Sequence, residues 1–282
     1  MDGLEFKTEV IKIMQYLNLE NDSKFRKIQE IQTNHRLKLI RKWGIKSGQK
    51  ILEIGCGQGD MTAALAYTVG NNGKIMAIDI APREYGAPFT IGESMDRLKE
   101  TELGKVIEPH FSHNLLTDIS ILENKIFDGV VFAHCSWYFH SIEEFTKILK
   151  TVKPFAKKIF FAEWDLCIRL PEQTGHFIAA MVQGEYSAFQ QTEKTNIKTL
   201  VSKQDISTIV KSLHLTVKEE GSFDSGDMQD GEWEINSARE LITEKNIEKT
   251  GLSKKTKDIL LTQIKLIGKT TKPLDTYWSI IV

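Results

Sequence analysis

The chain has 282 residues, enough for one large domain or two modest ones and ample for a sizeable core. Its 37 basic and 38 acidic side chains leave a net charge of −1, so no global field argues for nucleic acid or an anionic membrane as partner. Apolar runs such as 127–139 are interrupted by polar residues and too short to span a bilayer, which argues against stable membrane insertion.

The first turn of the chain lacks the basic flank and apolar stretch of a secretion signal. Cys56, Cys135 and Cys167 show neither metal-ligand spacing nor a disulfide framework. Both observations set cytoplasmic residence, with no metal, as the expectation.

Residues 4–17 carry a helical stripe at Phe6, Val10, Ile13, Met14 and Leu17. Asn21-Asp22-Ser23 offers a cap for a second helix over 24–43, whose basic residues read as a solvated face. Strands are predicted at 50–54, 75–79, 106–111, 127–133 and 158–163, and helices at 60–69, 92–102 and 142–152. A helix at 203–213 and strands at 215–219 and 275–282 complete the pattern. Strand–helix alternation of this kind predicts an α/β fold, a doubly wound and mostly parallel sheet with helices on both faces. Two stretches exceed ordinary connections: a helical segment over 166–197 and an insertion over 221–272.

The richest stretch is Ile51-Leu52-Glu53-Ile54-Gly55-Cys56-Gly57-Gln58-Gly59-Asp60, a buried strand that runs into a glycine turn and then a helix. A helix opening at such a turn presents unpaired N–H groups and a positive dipole end to a polar ligand. Dinucleotide loops space their glycines G-x-G-x-x-G. Here the spacing is G-x-G-x-G, and Asp60 occupies the third dinucleotide position, a poor neighbour for a pyrophosphate. About twenty residues after the loop, the strand Lys74-Ile75-Met76-Ala77-Ile78-Asp79 ends in a carboxylate.

Strand, triplet, helix and strand-end acid together resemble class I S-adenosylmethionine-dependent methyltransferases, with a match best over 49–166. The resemblance implies a seven-stranded sheet whose last strand is antiparallel, one domain over 1–282, and S-adenosylmethionine as cofactor. Within that domain the divisions are an N-terminal helical lid over 1–47, a cofactor-binding core over 48–166, a helical cap over 167–202, and a C-terminal part over 203–282 that carries the 221–272 insertion. It also implies that Gly55, Cys56, Gly57 and Gly59 wrap the methionine portion, with Glu53 supporting the loop. Asp79 takes the ribose hydroxyls and Ile80 packs on adenine. Asn114, beside Leu115, stands where the family usually has an acid near the adenine amino group. His134 falls at the methionine end.

The implied activity is methyl transfer to a small organic molecule, with no nucleic acid involved and a homodimer allowed. Three alternatives stand beside it: a cyclopropanating enzyme using the same donor on lipid, a nicotinamide oxidoreductase, and a noncatalytic sensor of the cofactor. Candidate acid–base residues are His134 and His140, then Tyr138, Glu163 and Asp165, all at or beyond carboxyl strand ends. Cys135 reads as an inert buried thiol. The apolar stripe over 176–189 reads as packing or as a pocket wall, with Trp164 and Tyr186 as candidate wall aromatics. The acidic stretch 224–234 reads as a solvated turn or as a negative rim for a cationic substrate.

Overall fold

The structure, a computed structural model, describes residues 3–17, 23–190, 195–268 and 271–282. Two helices lead, α1 (Gly3–Met14) and α2 (Ser23–Trp43). The alternating body follows: β1 (Lys50–Ile54), α3 (Asp60–Val69), β2 (Lys74–Ile78), α4 (Ile91–Lys99), β3 (Ile107–His110), β4 (Gly129–Ala133), α5 (Ile142–Val152) and β5 (Ile159–Trp164). After α6 (Thr174–Gln190) come α7 (Lys203–Ser212), β6 (Val217–Phe223), α8 (Asp230–Leu241), α9 (Glu244–Glu248), α10 (Lys254–Leu266) and β7 (Thr276–Ile281).

The seven strands form one sheet in the order β3-β2-β1-β4-β5-β7-β6. β1 pairs in parallel with β2 and β4, whereas β7 runs antiparallel to both β5 and β6. The strand order reverses between β1 and β4, and the loops leaving those two strands flank a crevice at the carboxyl edge.

Side-chain alternation along each strand fills two cores. Ile51, Ile75 and Phe160 face one layer with α2 and α3, while Leu52, Met76 and Phe161 face the other with α5 and α7. Burial on both faces explains why these strands read as continuous apolar runs. The edge strands are the exceptions: β3 is half-buried beyond Ile107, and β6 is exposed or half-buried throughout, so its polar sequence gave a shorter predicted strand and an insertion boundary too early, at 221.

α2 carries more than the predicted solvated face. Gln29, Gln32, Thr33 and His35 are buried along it, as are Leu39, Ile40 and Trp43. Trp43 stacks on Phe160 of the sheet with centroids 5.8 Å apart. α1 packs Val10 and Ile13 into the same core, and Phe6 and Glu9 engage Arg41 near the far end of α2. The contacts of α1 therefore lie with the core and with the end of α2 away from the crevice.

The long insertions build a helical cap. α6 packs with α8, α9 and α10 around Val182, Tyr186, Ile242, Ile247 and Leu260, and around Ala179, Ile235, Ala238 and Ile267. The stripe over 176–189 is thus mostly packing. Tyr186 belongs to the interior of the cap and not to a site wall. Among the described residues no helix is long and apolar enough to cross a membrane.

Trp43→Ala should remove the stack that pins α2 to the sheet. Equilibrium denaturation should show a loss of about 3–5 kcal/mol.

Candidate functional site

The glycine loop turns sharply off β1. Gly55 has φ +74°, and a Cβ there would stand 2.7 Å from Cys135 Cβ, so the loop can lie against the end of β4 only with glycine. Gly57 has φ +50° and nothing within 4 Å of its would-be Cβ, which leaves its backbone open to a ligand. The N–H groups of Gly55 and Cys56 both donate to the carbonyl of Ile78, at 2.8 and 3.2 Å. Gly57 N–H donates to Asp79 Oδ2 at 2.8 Å, and Ala81 N–H to Asp79 Oδ1 at 2.9 Å. The carboxylate keeps further acceptor capacity. Burial raises the Asp79 pKa, and the N–H groups of Ala81, Gly57 and Ile80 oppose that rise. Beside it the Ile80 side chain is 61% exposed, an apolar face at the rim.

Glu53 lies beneath the loop, 2% exposed, and its Oε2 accepts the Thr62 hydroxyl of α3 at 2.7 Å. Burial pushes its pKa up to about 8.

The crevice floor at β4 and β5 gathers rings. His134 follows β4 directly with φ +51°, a strained conformation for a residue other than glycine. Its ring centroid is 4.4 Å from that of Trp164. His134 Nε2 stands 3.0 Å from Nε2 of His35, which α2 brings over the crevice. His134 Nδ1 lies 3.4 Å from Glu163 Oε1. Glu163 is held by three donors: the N–H and hydroxyl of Ser136 at 3.0 and 2.7 Å, and the N–H of Trp164 at 3.0 Å. His176 of α6 meets Trp164 edge-on with centroids 5.2 Å apart.

A polar belt closes over this floor. Gln29 of α2 donates to Asp60 Oδ1 at 2.7 Å, with Arg36 3.7 Å from the other oxygen, so the start of α3 and α2 are tied together. Gln32 donates to Asp230 Oδ2 of α8 at 3.2 Å, and Gln183 of α6 donates to Glu234 Oε2 at 2.6 Å. Gly231 lets α8 begin close to the chain below: a Cβ there would stand 2.9 Å from Pro273 Cα. Burial raises Asp230, with Arg36 and His134 opposing, and pushes Glu234 up to about 7. Tyr138, in the turn after β4, is 50% exposed.

Of the residues predicted from sequence, Glu53, Gly55, Cys56, Gly57, Gly59, Asp79, Ile80 and His134 meet at one sheet edge. The Cys56 side chain points into the core, so the backbone is what it offers to a ligand. The Asn114 oxygen accepts from Leu116 N–H at 2.9 Å in a local turn, and Leu115 is buried in the core. His140 is exposed at the start of α5, where its N–H binds Glu144, and no described contact joins its ring to the His134 cluster. Asp165 is taken up by Arg169, Ser222 and Cys167 N–H, a structural knot beside β7. Cys135 donates to the carbonyl of Ile54, and burial raises its pKa well above the ordinary value, which keeps it a thiol.

Sequence reasoning missed His35, Gln29 and Gln32, and it covered His176 and Gln183 only within an apolar stripe and Asp230 and Glu234 only within an acidic stretch, without singling them out. The stretch 224–234 is not simply a solvated turn, because Asp230 opens a helix and shares a face with Glu234 one turn later. The available signal was the amide-rich spacing of Gln29, Gln32 and Arg36 along one face of α2.

A family model described as a methyltransferase domain matches residues 45–84. The crystal structure of a cyclopropane-fatty-acyl-phospholipid synthase-like protein from Lactobacillus casei superposes with a TM-score of 0.89 at 32% identity, over 98% of this chain and 99% of that one. The methyltransferase phomM' of Diaporthe leptostromiformis is 29% identical over 152 residues, which is 47% of this chain and 39% of that protein. A demethylmenaquinone methyltransferase of Bacillus cereus is 29% identical over 117 residues, 41% of this chain and 46% of that protein. The chain thus spans less than half the length of these two curated relatives.

The raised pKa of Glu53 sets a stability prediction. Its protonated form is favoured on folding, so its contribution is complete below the unfolded value near 4.5 and is lost as pH rises toward about 8. Glu53→Gln lacks this loss. Denaturation midpoints should show the variant gaining on wild type by roughly 1 kcal/mol per pH unit between those limits.

Proposed function

The chain belongs to the class I S-adenosylmethionine-dependent methyltransferase family, and on that footing we propose that it methylates a small polar molecule, releasing S-adenosylhomocysteine. When bound, S-adenosylmethionine supplies a methyl group already activated by the sulfonium charge. The chain's own work is to bind, orient, exclude water and hold a proton.

The observation that carries donor binding is Asp79. Its carboxylate accepts the N–H groups of Gly57 and Ala81 on separate oxygens, with Ile80 N–H also directed at it, and keeps acceptor capacity for the ribose, next to the exposed Ile80 and the open backbone of Gly57. Gly59, the N-cap of α3, makes no side-chain cap, so the first turn of that helix can also face the ligand. Glu53 supports the loop from below. Asn114 enters the proposal only in a reduced role, since its oxygen already serves a turn.

His134 is the proposed base for the proton of the acceptor. It lies at the strand end beside the glycine loop, and Glu163 faces its Nδ1. A polar acceptor is supported by what overhangs this point: Gln32, Gln183, Asp230 and Glu234 line the closing elements with amides and carboxylates. Cytoplasmic residence and a freely diffusing acceptor belong to the same proposal.

A second reading is modification of a lipid acyl chain with the same donor. The full-length similarity to the Lactobacillus casei protein favours it. The polar belt counts against it, because a long acyl chain needs an apolar channel.

Purified protein supplied with S-adenosylmethionine and a panel of small hydroxyl, thiol and amine acceptors should release S-adenosylhomocysteine through many turnovers. His134→Ala should lower kcat by about 10²–10⁴ on a hydroxyl acceptor. Undiminished turnover in that variant would remove His134 as base, and release confined to lipid extracts would favour the second reading.

A further inference from the structure

Three imidazoles meet at the crevice, and their proton positions follow from their partners. His176 is fully buried, and its Nδ1 accepts the N–H of Leu274 at 3.0 Å, so its proton is on Nε2. His35 is also buried, and burial together with His134, Arg36 and Lys38 keeps its pKa well below the ordinary value. His35 is therefore neutral and carries one proton. Its Nε2 and that of His134 are 3.0 Å apart, a distance that requires one to donate and the other to accept.

One neighbour decides which. Glu163 Oε1 lies 3.4 Å from His134 Nδ1, which makes no hydrogen bond, and its charge favours a proton on that nitrogen over a lone pair. Thr276 Oγ1 lies 3.3 Å from His35 Nε2, where a hydroxyl can accept the same N–H or donate to a lone pair and so serves either arrangement. Thr276 is in turn paired with Ser225, their hydroxyl oxygens 2.8 Å apart.

We propose that His35 is a positioning residue whose Nε2–H donates to His134 Nε2, which fixes His134 as the Nδ1–H tautomer with its lone pair on Nε2. The N–H of His35 stands in for the X–H of the acceptor. When an acceptor arrives, its own proton replaces that of His35 at His134 Nε2, and the His35 N–H is left with Thr276 Oγ1. The acceptor would then give its proton to His134 Nε2 as its heteroatom bonds the methyl carbon and the carbon–sulfur bond of the sulfonium breaks, its electron pair staying on the thioether sulfur. His134 would become imidazolium beside Glu163. The final step rests on the reading of His134 as base, while the tautomer does not. A donated hydrogen bond to a lone pair also disfavours protonation there. The other charged or titratable groups around His134 are Glu163 from β5, His176 from α6 and Asp230 from α8, with Arg36 adjoining on α2. They remain in place when His35 alone is changed.

The test is nitrogen NMR of the ligand-free protein with ¹⁵N-labelled imidazoles, which reads tautomer and titration without turnover. In wild type, His134 should show a protonated Nδ1 and a bare Nε2. In His35→Leu its titration midpoint should rise by about half to one pH unit. In His35→Gln, which sets an amide N–H near the same point, the midpoint should return toward wild type. A proton on Nε2 of His134 in wild type would overturn the proposal, and that measurement needs no variant to fold. An unmoved midpoint in folded His35→Leu, or no recovery with Gln, would also overturn it. If the spectra behave as expected but the acid limb of turnover stays fixed in His35→Leu, the contact stands and the base assignment of His134 fails.

Discussion

The hydrogen bond from Gly57 N–H to Asp79 Oδ2 joins the two strand ends on which the site is built. With Gly55 and Cys56 both donating to the Ile78 carbonyl, it fixes the loop after β1 against the end of β2. The donors are all backbone N–H groups, so these contacts depend on the angles that glycine permits, and the one side chain they need is the Asp79 carboxylate. The start of α3 is set by the same loop, and from Asp60 the linkage passes to Gln29 and Arg36 of α2. From Gln32 of α2 it passes to Asp230 and so to the cap. Loop, overhanging helix and cap are thus successive layers hung from one strand edge.

Buried polar groups concentrate where those layers meet. Elsewhere the two faces of the sheet are filled by Leu, Ile, Val and Phe in ordinary alternation. At the crevice, Glu53, Glu163, His35 and His176 are all buried, and Asp230 and Glu234 answer to amides more directly than to cations. Burial holds the carboxyl groups of Glu53, Asp230 and Glu234 above their ordinary pKa. Such crowding stabilises the fold little, and its chemical consequence is a set of groups whose proton affinities differ from those in water.

The parts of this arrangement that were legible in the sequence depend on short-range geometry. Three alternate glycines after a buried strand, and Asp79 at the end of the next strand, carry their meaning in spacing alone. The seven-strand count and the antiparallel last strand followed from the family those residues resemble. The overhanging residues were not legible, because their roles arise only when distant elements dock. His35 and Gln32 look like solvated positions of a basic helix until α2 lies across the crevice. Asp230 and Glu234 look like loop acids until Gly231 lets α8 pack against Pro273. His140 shows the converse, since nearness in sequence to a strand end left it exposed on the wrong side of a turn.

Calorimetric titration of wild type and Asp79→Ala with S-adenosylhomocysteine tests the strand-edge site most directly. One molecule should bind per chain, and removal of the Asp79 carboxylate should weaken affinity by about tenfold to a hundredfold or more. No binding to wild type, or equal affinity in both proteins, would contradict a donor site built on Asp79 and the glycine loop.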